Sequence, residues 1–282
     1  MTRILRPLLS RLVLVLAIGA QLGVSALPAR ADSGLTALDT ADQSKGWQAV
    51  GRLNIGADGF CTATLIAPDR VLTAAHCLYD KATGRRIPVT RMQFLADWRM
   101  GRAAAYRDIK RAVILPDYVY ASADKLGRVR HDLALIELAR PIRLPSIRPF
   151  AVGAELQPGE TVGVVSYAEG RAQAPSLQRS CQVLERDTGF FVMSCDIDFG
   201  SSGAPVFTIR NGRAQVVAVV SAKALANGRR VSLGVDVAGQ VHALEARLQA
   251  IESGTVAQAA GVDEPQMLRP GENDTGAKFL RP

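Results

Sequence analysis

Short stretches in which apolar and polar residues alternate, or in which a few apolar residues stand together, recur along this 282-residue chain: 49–55, 61–66, 70–73, 112–115, 133–138, 161–166, 178–184, 190–195, 206–209, 214–221 and 230–235. Alternation of this kind is the mark of strands that bury one face. Turn-forming residues separate them, namely Gly56-Ala-Asp-Gly59, Pro68-Asp69, Pro158-Gly159 and Asn211-Gly212. Many short strands at such spacing predict an all-β sandwich or barrel, and periodicity does not choose between the two. One segment, 239–251, follows the helical period instead, with Val241, Leu244, Leu248 and Ile251 on one stripe and Glu245 and Arg247 at its edges. Pro141, Pro145 and Pro149 interrupt strand pairing, so 141–149 reads as a linker between two β regions, 32–140 and 150–253. Beyond Gly254 the chain is polar and lacks a core pattern, which predicts a flexible tail over 254–282. No internal repeat is evident.

The first 31 residues follow a different logic. Arg3, Arg6 and Arg11 lead into an apolar core over 12–24, and Ala29-Arg30-Ala31 is a small-x-small cleavage site. This is the pattern of a secretory signal peptide cut after Ala31, with Asp32 as the first residue of the mature chain. The apolar core falls short of the roughly 20 residues a membrane span requires, and no later stretch is long enough, so no stable span is expected after cleavage. Residues 1–31 hold four arginines (Arg3, Arg6, Arg11, Arg30) and no acid, which leaves +4 of the formal +8 charge for the remainder. With scattered basic residues and only 5% aromatics, nothing resembles a nucleic-acid platform. The four cysteines, Cys61, Cys77, Cys181 and Cys195, suggest disulfides in an exported chain, and four cysteines allow three pairings. A zinc site is not indicated, because there is no C-x-x-C pair and no clustered histidine.

Three segments carry chemistry: Thr73-Ala74-Ala75-His76-Cys77, His131-Asp132-Leu133-Ala134-Leu135 and Gly200-Ser201-Ser202-Gly203-Ala204-Pro205. A serine hydroxyl is a poor nucleophile near neutral pH and needs a base within reach, which in turn needs a partner to fix its tautomer. Histidine titrates near neutrality and suits the base role at His76. Asp132, at the head of an apolar run, suits the orienting role. Gly200 lets the backbone turn so that its own N–H and that of Ser202 point at one spot, an oxyanion hole. His131 and His242 stand outside any motif.

Taken together, and above all in the run 61–77 with its strand, turn, strand and histidine between two cysteines, these segments resemble the chymotrypsin/trypsin-like serine protease family over roughly 47–248. The resemblance implies an all-β fold of two packed six-stranded antiparallel β-barrels, with His76 and Asp132 on the first, Ser202 on the second and a C-terminal helix closing the second. It favours a Cys61–Cys77 disulfide clipping the His76 loop, and with it Cys181–Cys195 bracing the approach to Ser202. The activity implied is that of an exported serine endopeptidase, secreted or periplasmic. It would work on protein or peptide substrates through a His76/Asp132/Ser202 triad and an acyl-enzyme, as a monomer without metal or organic cofactor. A catalytically silent, protease-like secreted binding module is the alternative. A lipase-type esterase is disfavoured, because that class places its histidine last.

Departures from the family are equally specific. Ser201 stands where the family has an aspartate that pairs with a freshly cut N-terminus, and no Ile-Val-Gly-Gly activation site is present. The site is therefore expected to preform by other contacts, as in the bacterial V8-like (glutamyl-endopeptidase-like) branch. Ala204 replaces a second glycine, a small change. For substrate binding the resemblance points to Asp196, six residues before Ser202, and to Ser221, Lys223 and Gly234. Ala222 replaces the pocket's tryptophan and Lys223 a glycine at its mouth, where the lysine is placed to pair with Asp196 or to favour acidic side chains.

Overall fold

The computed structural model describes residues 34–56, 59–255 and 278–279. The expected signal peptide over 1–31, Asp32 and Ser33, Ala57 and Asp58, and the expected tail beyond Thr255 apart from Lys278 and Phe279 lie outside the described residues. In chain order the strands begin with β1 (Leu35–Ala37), β2 (Val50–Ile55), β3 (Gly59–Ala67), β4 (Arg70–Thr73), β5 (Met92–Ala96) and β6 (Ala105–Ile114). A short helix α1 (Lys125–Arg130) precedes β7 (Ala134–Leu138). Residues 141–149 form neither helix nor strand and lead to β8 (Ala151–Val152). Then follow β9 (Thr161–Ala168), β10 (Arg171–Asp187), β11 (Phe190–Met193), β12 (Pro205–Arg210), β13 (Arg213–Ala226), β14 (Arg229–Asp236), helix α2 (Val241–Glu252) and β15 (Lys278–Phe279).

The strands close two rings, which decides between sandwich and barrel. In the first, β3, β2, β5, β6, β7 and β4 pair antiparallel in that order and β4 returns to β3. In the second, β10, β11, β14, β13, β12 and β9 do the same and β9 returns to β10. These are the two expected six-stranded barrels. β1 adds to β10, β8 runs parallel to β13, and β15 pairs with β3 so that Lys278 stands opposite Phe60. Closing a ring removes open sheet edges, which otherwise invite pairing with other chains.

Alternation becomes burial. In β2 the side chains of Val50, Leu53 and Ile55 face the core. All of β7 is buried, including Glu137, whose carboxylate is met by Arg111 Nε at 2.7 Å and Lys110 Nζ at 3.0 Å. A charge in such a place needs partners of this kind. One apolar cluster fills the first barrel and reaches into the second through Trp47, Phe150 and Phe207, with the Phe207 ring 4.9 Å from Trp47 and 4.7 Å from Phe150. A separate cluster around Val162, Phe191, Met193 and Val217 fills the second barrel.

Helix α2 buries the predicted stripe of Val241, Leu244 and Leu248, with Ile251 at its edge. It packs against β6 and β7 of the first barrel, not on the second as the resemblance implies. The reason is that its stripe belongs to the same apolar cluster as Ile109 and Leu138. No helix among the described residues is long and apolar enough to cross a membrane.

Cys61 on β3 is bonded to Cys77, and Cys181 on β10 to Cys195 just past β11. The first closes a loop with a sequence separation of 16. Replacing both Cys61 and Cys77 with alanine is expected to lower unfolding free energy by about 3 kcal/mol, read from urea unfolding extrapolated to water, with a steeper slope because the denatured chain is no longer cross-linked.

Candidate functional site

β4 delivers the chain to a 3₁₀ turn, Ala75–Leu78, whose four residues are all buried. His76 sits in this turn, held from below by the Cys77–Cys61 bond. Its ring Nδ1 lies 2.6 Å from Asp132 Oδ2, and its backbone N–H donates to Asp132 Oδ1 at 2.8 Å. A carboxylate only accepts, so Nδ1 carries the proton and Nε2 is left as the ring acceptor. Nε2 is buried and has no hydrogen-bond partner.

Asp132 is placed by α1, an element that sequence reading missed. Asp124 caps this helix by accepting from Gly127 N at 2.9 Å, and the Asp132 N–H bonds back to Val129 O at 3.1 Å. The chain then enters β7, so Asp132 stands at the joint of a capped helical turn and a buried strand. Ser221, expected on the pocket wall, lies instead behind this pair: its hydroxyl donates to Asp132 Oδ2 at 2.6 Å. Three donors therefore fix one buried carboxylate. Burial, and secondarily the Asp132 charge, push the Tyr118 hydroxyl well above the ordinary tyrosine value.

Ser202 lies in the turn between β11 and β12, and this turn rests on β3 of the other barrel. Thr62 N–H donates to Ser202 O at 2.8 Å, and Thr62 Oγ1 donates to Gly200 O at 2.9 Å while accepting from Tyr167 N–H at 3.0 Å. Thr73 Oγ1 donates to Thr62 O at 2.9 Å. Gly203 N–H bonds to Val220 O at 2.8 Å, next to Ser221. Two glycines are obligatory here. Gly203 has φ +78°, and a Cβ would overlap Thr73 Oγ1 and the Thr62 carbonyl oxygen. Gly200 has φ +92°, and a Cβ would strike the Phe60 ring.

The peptide planes around Gly200 and Ser202 are pinned by their carbonyls. Phe199 O accepts from Glu169 N–H at 2.7 Å, and Ser201 O accepts from Ala204 N–H at 2.9 Å. A trans peptide points its N–H opposite its carbonyl, so the Gly200 and Ser202 N–H groups are each turned away from these partners.

A cavity of about 730 Å³ lies between 194–198 and strands β13 and β14, lined by Asp196, Asp198, Lys223 and Arg230 among others. Of the expected substrate-binding residues, Asp196 and Lys223 line it, whereas Ser221 and Gly234 do not. Gly234 lies on β14 opposite Phe191 and Val220, where a Cβ would strike the Met193 methyl group. Lys223 pairs with Asp198 at 3.1 Å, not with Asp196, because its ammonium also sits 4.0 Å above the Phe199 ring beside that aspartate. Burial opposes ionisation of Asp198, but the Phe199 N–H, Lys223 and Arg171 outweigh it and hold the carboxyl below its ordinary value. Cys61, His76 and Cys77 bring donor atoms within 4.8 Å of one another, yet both sulfurs are locked in a disulfide and do not act as thiolate ligands.

The family described as trypsin-like peptidase domain matches residues 61–219. Glutamyl endopeptidase of Bacillus licheniformis is 26% identical over 156 residues, covering 55% of this chain and 47% of that protein. Serine protease 23 of Bos taurus is 27% identical over 163 residues, covering 52% of this chain and 43% of that protein. The chain thus spans under half the length of both relatives. A solved structure of Glu endopeptidase in complex with MPD has the same fold, with a TM-score of 0.64 at 19% identity over 78% of this chain and 98% of that one.

Gly203→Ala is expected to cost at least ~3 kcal/mol, combining backbone strain with steric overlap. Gly212→Ala isolates the backbone part, because Gly212 has φ +71° and nothing within 4 Å of its added Cβ. That variant is expected to lose only about 1 kcal/mol. Thermal or urea unfolding of the two variants side by side checks the contrast.

Proposed function

The chain belongs to the trypsin-like peptidase family, and from that premise we propose that it is an exported serine endopeptidase acting through Ser202, His76 and Asp132. The observation that carries this reading is the buried His76–Asp132 pair at 2.6 Å with a bare Nε2 on its far side. Ser202 is brought to that neighbourhood from two directions. Its carbonyl is tied to Thr62, adjacent to the Cys61–Cys77 bond, and Gly203 is tied to Val220, adjacent to the Ser221–Asp132 bond.

In the mechanism, His76 Nε2 takes the proton of Ser202 as its oxygen attacks the substrate carbonyl, then returns that proton to the leaving amine. Asp132 keeps Nδ1 protonated and stabilises the imidazolium, and Ser221 keeps the carboxylate from turning. The pinned Gly200 and Ser202 N–H groups receive the developing oxyanion, a contribution of typically ~3–4 kcal/mol per donor in the transition state. Water then repeats the sequence on the acyl-enzyme. Substrates are proteins or peptides, and Asp196 and Lys223 in the cavity are assigned to side-chain recognition. Removal of 1–31 during export fits two disulfides, which persist in oxidising compartments.

Ser202→Ala is expected to remain folded and to lose on the order of 10⁶-fold in kcat on a peptide substrate. A phosphonofluoridate should label the unmodified protein once, at Ser202, as found by peptide mass mapping. Absence of both hydrolysis and labelling would identify a silent binding module instead.

A further inference from the structure

Ser201 is completely buried and stands one residue before the proposed nucleophile. A hydroxyl without exposure must find partners inside the protein. Ser201 Oγ accepts from Asp198 N–H at 3.3 Å and donates to Ser166 Oγ at 3.2 Å. The Ser201 N–H closes the same turn by donating to Asp198 O at 2.9 Å. Ser166, on β9, is likewise buried. It is gripped by Arg171 from the start of β10: Nη1 donates to Ser166 O at 2.9 Å and to Ser166 Oγ at 3.2 Å, and Nη2 donates to Ser166 Oγ at 3.2 Å. The guanidinium is half-buried. Burial lowers its pKa, and Asp196 and Asp198 pull it back up.

We propose that Arg171, Ser166 and Ser201 form the lock that positions the oxyanion turn of this chain. The proposal rests on the reading of Ser202 as nucleophile. Its logic is geometric. Asp198, Phe199, Gly200 and Ser201 make up the turn whose peptide planes present the Gly200 and Ser202 N–H groups. Ser201 Oγ is the side-chain atom that ties this turn to the second barrel's β9, and Arg171 is the charged group behind Ser166. Charge-assisted bonds are the stronger kind, and here they hold Ser166 Oγ at the position where it accepts from Ser201. Without Arg171, Ser166 loses the donors that fix it as the acceptor of Ser201, and the turn is free to rotate its N–H groups away from one focus. Ser201 does not line the cavity assigned to substrate recognition, whereas Arg171 also faces Asp196 and Asp198 there.

The test compares Arg171→Met, Ser201→Ala, Arg171→Lys and the double variant of Arg171→Met with Ser201→Ala, each checked for a cooperative unfolding transition. On a peptide substrate, Arg171→Met and Ser201→Ala should each lose about 10- to 100-fold in kcat, and in Ser201→Ala, which leaves the cavity charges untouched, KM should change by less than about threefold, the pattern of a contact made only in the transition state. Inhibition by a peptide aldehyde, whose hemiacetal oxygen needs the same N–H groups, should weaken by the same factor. The double variant should be no worse than the poorer single one, as expected of groups acting in one relay. Arg171→Lys should recover part of the loss. Hydrogen–deuterium exchange over 196–204 gives a readout that does not depend on activity and should rise by about tenfold or more in Arg171→Met. Unchanged exchange there overturns the lock, as does a kcat within twofold of the parent's when exchange has risen. An inert parent protein with the same rise in exchange leaves the lock standing and removes the peptidase reading.

Discussion

Thr62 joins the two barrels at the site, and the rest of the arrangement hangs on it. It has no solvent exposure, so its N–H, carbonyl and hydroxyl all require partners within the protein. It finds three of them across the barrel boundary, in the carbonyls of Ser202 and Gly200 and the N–H of Tyr167, and a fourth within its own barrel, in the hydroxyl of Thr73. The register of β3 is fixed by β2, with Leu53 opposite Cys61 and Arg52 opposite Thr62. A slip of one residue would turn Thr62 to the other face and release the Ser202 turn. Cys61, its neighbour, anchors the His76 turn through the disulfide. The proposed nucleophile and base, far apart in sequence, are thus both referenced to adjacent residues of one strand.

What could be read from the sequence is what lies in contiguous patterns. The run 61–77 displays β3, β4 and the His76 turn together, and the stripe of α2 repeats over three turns. Elements with weak or short patterns escaped. Helix α1 has six residues, a glycine inside and one buried side chain, Val129, so no period can develop. Its cap at Asp124 is the signal that was there to find. β5 went unmarked because five residues, Met92–Ala96, carry too little alternation. In the first half of β6 only Ala105 and Ile109 are buried, four residues apart with Tyr106, Arg107 and Asp108 between them, so no apolar alternation marks the strand. Ser221 could not be assigned to Asp132 from sequence, because the two meet only when β13 and the head of β7 come together.

The charges around the cavity illustrate the same limit. Asp196 and Asp198 are two residues apart, and sequence alone gives no reason for Lys223 to prefer one. In the fold, Lys223 reaches the Phe199 ring and Asp198 together, gaining a cation–π contact along with the ion pair. This pair is partly exposed, so its contribution to stability is small. Its consequence is positional: it braces the side of the turn that faces the cavity while Glu169 holds the Phe199 carbonyl.

A serine at position 201 also changes what the protein must bury. A carboxylate at a fully buried position requires a cation beside it, and losing that cation leaves a charge whose desolvation costs several kcal/mol. A hydroxyl there requires only hydrogen bonds, which Ser166 and the Asp198 N–H provide. The charge is moved outward to Arg171, which is half-buried and faced by Asp196 and Asp198. Each of these groups lies within β9, β10 or the loop after β11. Assembly of the turn is thereby coupled to closure of the second barrel, where β9 meets β10 with Ser166 opposite Ser176. The hydrogen bonds that hold Ser201 are thus made as β9, β10 and the loop after β11 come together.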